Sequence, residues 1–139
     1  MTGPVAAWGE DSGKELNFKG QMLGRESRVV QGAILAVDGW ATGVATHLGE
    51  ISIKWKVTVN LADGSGQGTA RYTTANGDQL ETTIVGQGTP LTVPGLIKIV
   101  EINTVVKGTG RFANARGSFV MERLVNFSSA WTGGVFKGL

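Results

Sequence analysis

One segment of eleven residues, 51–61, restricts the possible folds more than any other part of the chain. Its apolar residues occupy every second position, and these are Ile51, Ile53, Trp55, Val57, Val59 and Leu61. Side chains of a β-strand alternate between the two faces of a sheet, whereas those of a helix repeat every 3.6 residues. The segment is therefore predicted to be a strand with one buried face and one face in solvent.

Two dipeptides that favour tight turns follow this strand. Asp63-Gly64 and Asn76-Gly77 both accept the positive φ angles of a two-residue hairpin. Between and after them, the alternating segments 66–75 and 79–87 are predicted to be strands. The middle of the chain is therefore expected to form three consecutive antiparallel strands.

The remaining segments have the same character, and none has a helical stripe. Strands are predicted over residues 15–23, 33–46, 96–106, 115–126 and 130–137, with 24–32 interpreted as a loop or frayed strand end and 107–114 as a loop. Gly39 and Gly43, inside the second of these strands, are expected to mark bends or bulges where a sheet curls. The total is about eight strands with short connections.

Eight antiparallel strands suit a closed barrel that is just wide enough for side chains or one small ligand. The predicted fold is therefore all-β, a single closed up-and-down barrel, with an open two-sheet β-sandwich as the alternative. Successive hairpins and mid-strand glycines favour the barrel. The 139 residues fit one domain, with residues 1–13 as a candidate flexible segment.

Composition excludes several kinds of chemistry. The chain has no cysteine, which removes disulfides, thiolate metal sites and cysteine nucleophiles. His47 is the only histidine, so it is interpreted as a turn residue and not as a metal ligand. No cofactor and no metal are expected.

The distribution of charge and hydrophobicity bears on partners. The net charge is +2, from 13 basic and 11 acidic residues, and no run of Lys or Arg is present, so no nucleic-acid partner is predicted. No apolar run approaches the ~20 residues of a membrane span. Residues 1–10 lack the basic and apolar regions of a signal peptide, which suits a cytoplasmic protein or a mature secreted one.

A glycine-rich segment carries a resemblance to a known family. The run Gly108-Thr109-Gly110-Arg111-Phe112, followed by a second glycine at Gly117, resembles the signature loop of the allene oxide cyclase and dirigent barrels. More widely, residues 47–138 resemble small uncharacterised bacterial proteins of this barrel type. No helix follows the glycines, so we interpret them as turn geometry above Phe112 and not as a phosphate site.

The resemblance implies an eight-stranded barrel with a largely apolar cavity, in proteins that often form homodimers or homotrimers. Some bacterial relatives of this fold close rings in natural-product assembly, and many have no assigned activity. No catalytic residue of the plant enzymes can be carried to a position of this sequence. The resemblance therefore predicts architecture, and function has to be argued from the residues themselves.

Polar residues within two apolar strands are the candidate catalytic groups. They are Glu101 and Asn103 on one strand and Glu122 and Arg123 on the next. Glu101 and Arg123 lie on faces that neighbouring strands can bring together, and Glu122 is the other candidate partner. Inside the lumen, a Glu–Arg pair would have shifted protonation equilibria and could serve acid–base chemistry; on the exterior it would be a weak salt bridge.

Large side chains supply the candidate ligand contacts. Trp55 and Tyr72 are predicted to face inward, and the set is completed by Trp40, Asn103, Phe119, Met121, Trp131 and Phe136. Trp8 is a candidate lid over one barrel mouth. The leading hypothesis is a barrel that binds a small apolar or amphiphilic molecule. The alternatives are a cofactor-independent cyclase or isomerase that uses the Glu/Arg pair, and a structural module with a filled interior.

Overall fold

The computed structural model describes residues 18–139, and these form a closed antiparallel barrel of eight strands. The strands are β1 Lys19–Gln31, β2 Ile34–Ala45, β3 Gly49–Asn60, β4 Ser65–Thr74, β5 Gln79–Pro90, β6 Leu96–Gly108, β7 Ser118–Asn126 and β8 Trp131–Gly138. A single 3₁₀ turn, η1 (Gly110–Phe112), lies between β6 and β7. The predictions made for residues 1–13 and for Trp8 lie outside the described residues.

Each strand pairs with its neighbours in the chain, and β1 closes the barrel against β8. The closing ladder runs from Lys19 opposite Lys137 to Arg25 opposite Trp131. The predicted all-β closed barrel is confirmed, and the two-sheet sandwich is wrong. Closure gives every described strand two partners, so no strand edge is left for aggregation.

The segment 24–32, interpreted from the sequence as a loop or frayed end, is mostly strand. β1 continues to Gln31 and pairs with β2 along its whole length, from Gly20 opposite Ala45 to Gln31 opposite Ile34. The error arose because charged residues replace the usual apolar ones on the inward face here. In contrast, β7 begins at Ser118, so residues 115–117 belong to the preceding loop.

The glycines inside β2 do not mark bulges. Neither the β1–β2 ladder nor the β2–β3 ladder shifts register, whereas a shift does occur between Glu81 and Thr82 on β5. Gly39 instead lies against the Trp55 indole, where an added Cβ would be 1.8 Å from Trp55 Cε2. The prediction of a bulge at Gly39 is therefore wrong. A glycine occurs at this position because any side chain would occupy the space of the Trp55 indole.

The two ends of the barrel differ. The connections 32–33, 61–64, 91–95 and 127–130 surround what we call the distal end; residue 18, residue 139 and the connections 46–48, 75–78 and 109–117 surround the proximal end. Aromatic rings fill the proximal half, where Phe119 packs 4.8 Å from Phe18, 5.4 Å from Tyr72 and 6.0 Å from Phe136 between ring centroids. Phe112, the last residue of η1, is buried and anchors this loop, as predicted. This half of the lumen is solid core.

Replacement of Gly110 by Ala is expected to lower stability, because this residue has φ +57° and its Cβ would lie 1.9 Å from Asp78 Oδ1. Asp78 accepts hydrogen bonds from the Arg111 backbone N–H at 3.3 Å and from Arg111 Nε at 3.2 Å. The left-handed conformation alone costs about 1–2 kcal/mol with a Cβ, and displacement of Asp78 adds to it.

Thermal unfolding measures the effect, with Gly49→Ala as the matched control. Gly49 has φ +70° and open space around it, so it reports the conformational cost alone. Equal losses of stability in the two variants would show that the Asp78 contact contributes nothing.

Candidate functional site

A network of buried charges crosses the lumen at the middle of the barrel. The Arg123 guanidinium binds Glu101 with two parallel hydrogen bonds, Nε to Oε1 at 3.0 Å and Nη2 to Oε2 at 3.1 Å. Arg123 Nη1 donates to Glu26 Oε2 at 2.5 Å and to Thr132 Oγ1 at 3.2 Å. One cation on β7 thus joins a carboxylate of the adjacent strand β6 to a carboxylate of β1, which lies beyond β8 in the other direction.

Glu26 receives further donors from its own side of the barrel. Trp55 Nε1 donates to Glu26 Oε2 at 3.0 Å, and Arg28 Nε donates to Glu26 Oε1 at 3.3 Å. The Arg123 guanidinium also lies over the Trp55 ring, 5.3 Å from its centroid. Glu26, Glu101, Arg28 and Arg123, which we call the floor network, therefore contain two negative and two positive charges.

The surroundings keep Arg123 charged. Burial by itself lowers the pKa of Arg123, but the charges and hydrogen bonds of Glu101 and Glu26 outweigh it and raise that pKa above its usual value. A guanidinium in this position acts as a fixed cation and does not exchange protons. Any acid–base chemistry here would belong to the carboxylates.

A second set of hydrogen bonds lies on the proximal side of this network. Asn103 Oδ1 accepts from Tyr72 Oη at 3.0 Å and from Thr82 Oγ1 at 2.8 Å. Burial, together with the Glu101 charge, raises the pKa of Tyr72, so its phenol stays a neutral donor. The gap beside these residues is only about 10 Å³, at or below what one water needs.

On the distal side, the lumen is open. A chamber of about 370 Å³ extends from the floor network to the distal end, within the usual size range of small-molecule sites. Its walls are aliphatic, formed by Leu35, Val37, Val57, Val59, Ile97, Ile99 and Val125. Its rim includes Leu61, Asp63, Pro90 and Phe127. The polar side chains of the chamber lie at its floor and near its rim, where Asp63 and Gln87 line it.

The structure separates the residues predicted as sites into four groups, three of them inside the barrel. Glu101 and Arg123 lie on the chamber floor, paired as the sequence analysis suggested for a lumen placement. Trp55 is buried directly behind the floor. Tyr72, Asn103, Phe119, Met121 and Phe136 are buried in the filled part of the barrel and do not line the chamber.

Three predicted residues face outward. Glu122 is half-exposed and pairs with Lys98 at 3.5 Å, because a strand directs it away from its neighbour Arg123. Trp40 and Trp131 are also about half-exposed on the outer wall, where both stand opposite Arg25. The predicted inward placement of these two indoles is wrong, since the register of β2 and β8 turns them to the outside.

Sequence reasoning missed Glu26, Arg28 and the aliphatic walls. Met22, Gly24 and Glu26 do alternate along one face of β1, and this pattern was the available signal. The pattern was not recognised because, in a sequence, a carboxylate that is buried beside a cation cannot be distinguished from one that faces solvent. The cation beside Glu26, Arg123, is 97 residues away in the chain.

Comparisons with known proteins add no relatives: no protein-family model matches the chain, and neither curated proteins nor solved structures give a significant match. Within residues 18–139, no group of three or more His, Cys, Asp or Glu side chains is placed to hold a metal ion. The described residues also include no helix that is long and apolar enough to span a membrane. Fold and site define an antiparallel barrel with a half-open lumen and a charged floor.

Proposed function

We propose that the protein binds a small apolar or amphiphilic molecule in the distal chamber. One observation carries this proposal, namely that the lumen is packed solid on one side of the floor network and open on the other. Transfer of apolar ligand surface into an aliphatic chamber is favourable by about 25 cal/mol per Å². The volume equals that of about twelve waters at liquid density, so a compact ring system or a short chain fits.

Arg28 supports an orientation for the ligand. Its Nη2 is buried and donates no hydrogen bond to a described residue, although it lies 3.3 Å from Glu26 Oε1 in a poorly aligned geometry. The same guanidinium lies over the Phe127 ring at 5.0 Å and donates from Nη1 to the Ser129 carbonyl at 3.1 Å. A ligand with an acceptor at its polar end would receive a hydrogen bond from Arg28 Nη2, while its apolar part contacts the aliphatic walls.

Titration with 1-anilinonaphthalene-8-sulfonate tests the proposal, because this probe combines flat rings with an acceptor head group. We expect saturable binding of one probe per barrel, with a strong rise in probe fluorescence. Competition by other small apolar compounds would then rank candidate ligands. A folded protein that binds no apolar probe at all would overturn the proposal.

Filling the chamber is expected to block this binding. Gly88 lies on the inward face of β5, and an added Cβ would make ordinary contacts of 3.4 Å with Ile97 Cγ2 and 3.9 Å with Ile99 Cγ1. Gly88→Leu should therefore fold and place its side chain in the chamber, and we expect probe affinity to fall at least tenfold. The control is Thr83→Leu on the outward face of the same strand. Equal affinities in the two variants would contradict the assignment of the chamber.

A cofactor-independent cyclase or isomerase is the second candidate. The observation in its favour is that two carboxylates, Glu26 and Glu101, border the chamber. Confinement of a reactive chain beside one acid–base group is sufficient for such catalysis in principle. If the chamber catalyses cyclisation or isomerisation of a substrate, Glu101→Gln should abolish turnover of that substrate with little loss of probe binding. Full turnover in that variant would remove Glu101 from the mechanism.

A further inference from the structure

The outer wall of the barrel brings cations and indoles into one line. Trp131, Arg25, Trp40, Lys54 and Arg71 are successive cross-strand partners on β8, β1, β2, β3 and β4, and we call them the outer row. All five are exposed. Neighbouring strands are about 4.8 Å apart, so the outer row extends over about 19 Å.

The charges of the outer row are largely uncompensated. Within residues 18–139, Arg25 and Lys54 form no ion pair, and Arg71 has only a long contact of 3.6 Å with Glu81. The other outward carboxylates that form ion pairs contact other cations, as Asp38 does with Lys56 at 3.3 Å. The outer row therefore presents three cations to solvent and ends at Glu81, the next cross-strand partner, which among the described residues pairs with Arg71 alone.

The two indoles are separated by Arg25, so their Cα atoms are two strand spacings, about 10 Å, apart. They do not stack on each other, and about half of each side chain is exposed. Beside Trp131, a shallow depression of about 830 Å³ runs along the outer wall, where Gly133 on the outward face of β8 carries no side chain and the exposed Glu50 contributes one carboxylate to the lining. Flat rings therefore have both an aromatic surface and room beside it.

We propose that the outer row binds single-stranded nucleic acid, with bases on Trp40 and Trp131 and phosphates on Arg25, Lys54 and Arg71. Stacking platforms interleaved with cations are how proteins bind single strands without reading their sequence. The charge of the outer row also disfavours a second copy of this chain as the occupant. A two-fold axis through the outer row would place cations against cations.

The test uses the full chain and a fluorescein-labelled oligothymidylate of about twelve nucleotides. We expect a dissociation constant in the micromolar range at low salt and quenching of tryptophan fluorescence on binding. With three phosphate contacts, the logarithm of affinity should fall with the logarithm of salt concentration with a slope of about −2.

Two double charge reversals distinguish binding at the outer row from nonspecific attraction by the net charge of the protein. Arg25→Glu with Lys54→Glu should weaken binding at least tenfold and reduce the salt slope by about 1.4. Lys98→Glu with Arg116→Glu changes the net charge equally, but at exposed positions away from the outer row, and should weaken binding less than threefold. Trp40→Ala and Trp131→Ala should each weaken it about fivefold.

Several results would overturn the proposal. They are failure of the oligothymidylate to bind, equal losses in the two charge-reversed variants, and equally tight binding of a polyglutamate peptide, which would indicate an acidic protein partner. Self-association that disappears in the outer-row variant would instead assign this surface to a second copy. Probe binding in the distal chamber is measured separately, so this proposal and the chamber proposal can fail independently.

Discussion

Substitution of Arg123 by Met is expected to lower the free energy of unfolding by about 3–5 kcal/mol. Met fills much of the same volume, so loss of packing is small. What remains is a buried Glu101 that has lost its bidentate donor and a Glu26 that keeps only Trp55 Nε1 and Arg28. The penalty comes from leaving charges without partners in a medium of low dielectric constant.

Chemical denaturation at neutral pH measures this loss. Lys98→Met serves as the control, because it removes a cation from an exposed pair with Glu122 and should cost about 0–1 kcal/mol. Combining Arg123→Met with Glu101→Gln should recover much of the stability, since Glu26 keeps Arg28 as its partner and no unpaired charge then remains in the floor network. A loss below about 1 kcal/mol for Arg123→Met alone would mean that water or relaxation reaches the floor network.

The expected loss of stability at Arg123 also limits how catalysis can be tested. An Arg123→Ala variant that loses turnover would be uninformative, because the fold itself is expected to weaken. Glu101→Gln keeps the shape of the side chain and leaves Arg123 bonded to Glu26 and Thr132. It is therefore the variant that can distinguish a chemical role from a structural one.

Substitution of Gly39 by Ala is expected to cost about 2.5–6 kcal/mol. The new Cβ would lie 1.8 Å from Trp55 Cε2 and 2.3 Å from Trp55 Nε1, so the indole has to move. Overpacking typically costs about 1–3 kcal/mol. Loss of the Trp55–Glu26 hydrogen bond, which involves a charged acceptor, adds about 1.5–3 kcal/mol.

Chemical denaturation measures the loss of stability. Near-ultraviolet circular dichroism detects the displacement of the Trp55 indole, because the signal depends on the environment of the ring. Gly88→Ala is the control, since its Cβ meets no atom closer than 3.4 Å. A smaller residue at position 55 should relieve the clash, so Gly39→Ala with Trp55→Leu should cost less than the sum of the single changes. Strict additivity would show that Gly39 and Trp55 do not compete for space.

Much of the fold could be predicted from local patterns. Alternation over residues 51–61 predicted β3, and the Asp63-Gly64 and Asn76-Gly77 turns predicted the hairpins around β4. Alternation also placed Glu101 and Arg123 on faces that meet. The same rule failed for β1, because its inward charges are stabilised by residues from distant strands.

Taken alone, the amino-acid sequence determined where strands and turns occur and which residues of each strand share a face, since both depend on neighbours one or two positions away. Only the closed barrel decided which residues from eight strands lie at the same level of the lumen or outer wall. Cross-strand register, a property of the whole sheet, brought Glu26 to Arg123 and left one half of the interior open. It also aligned Arg25, Lys54 and Arg71, which no run of basic residues in the sequence had indicated.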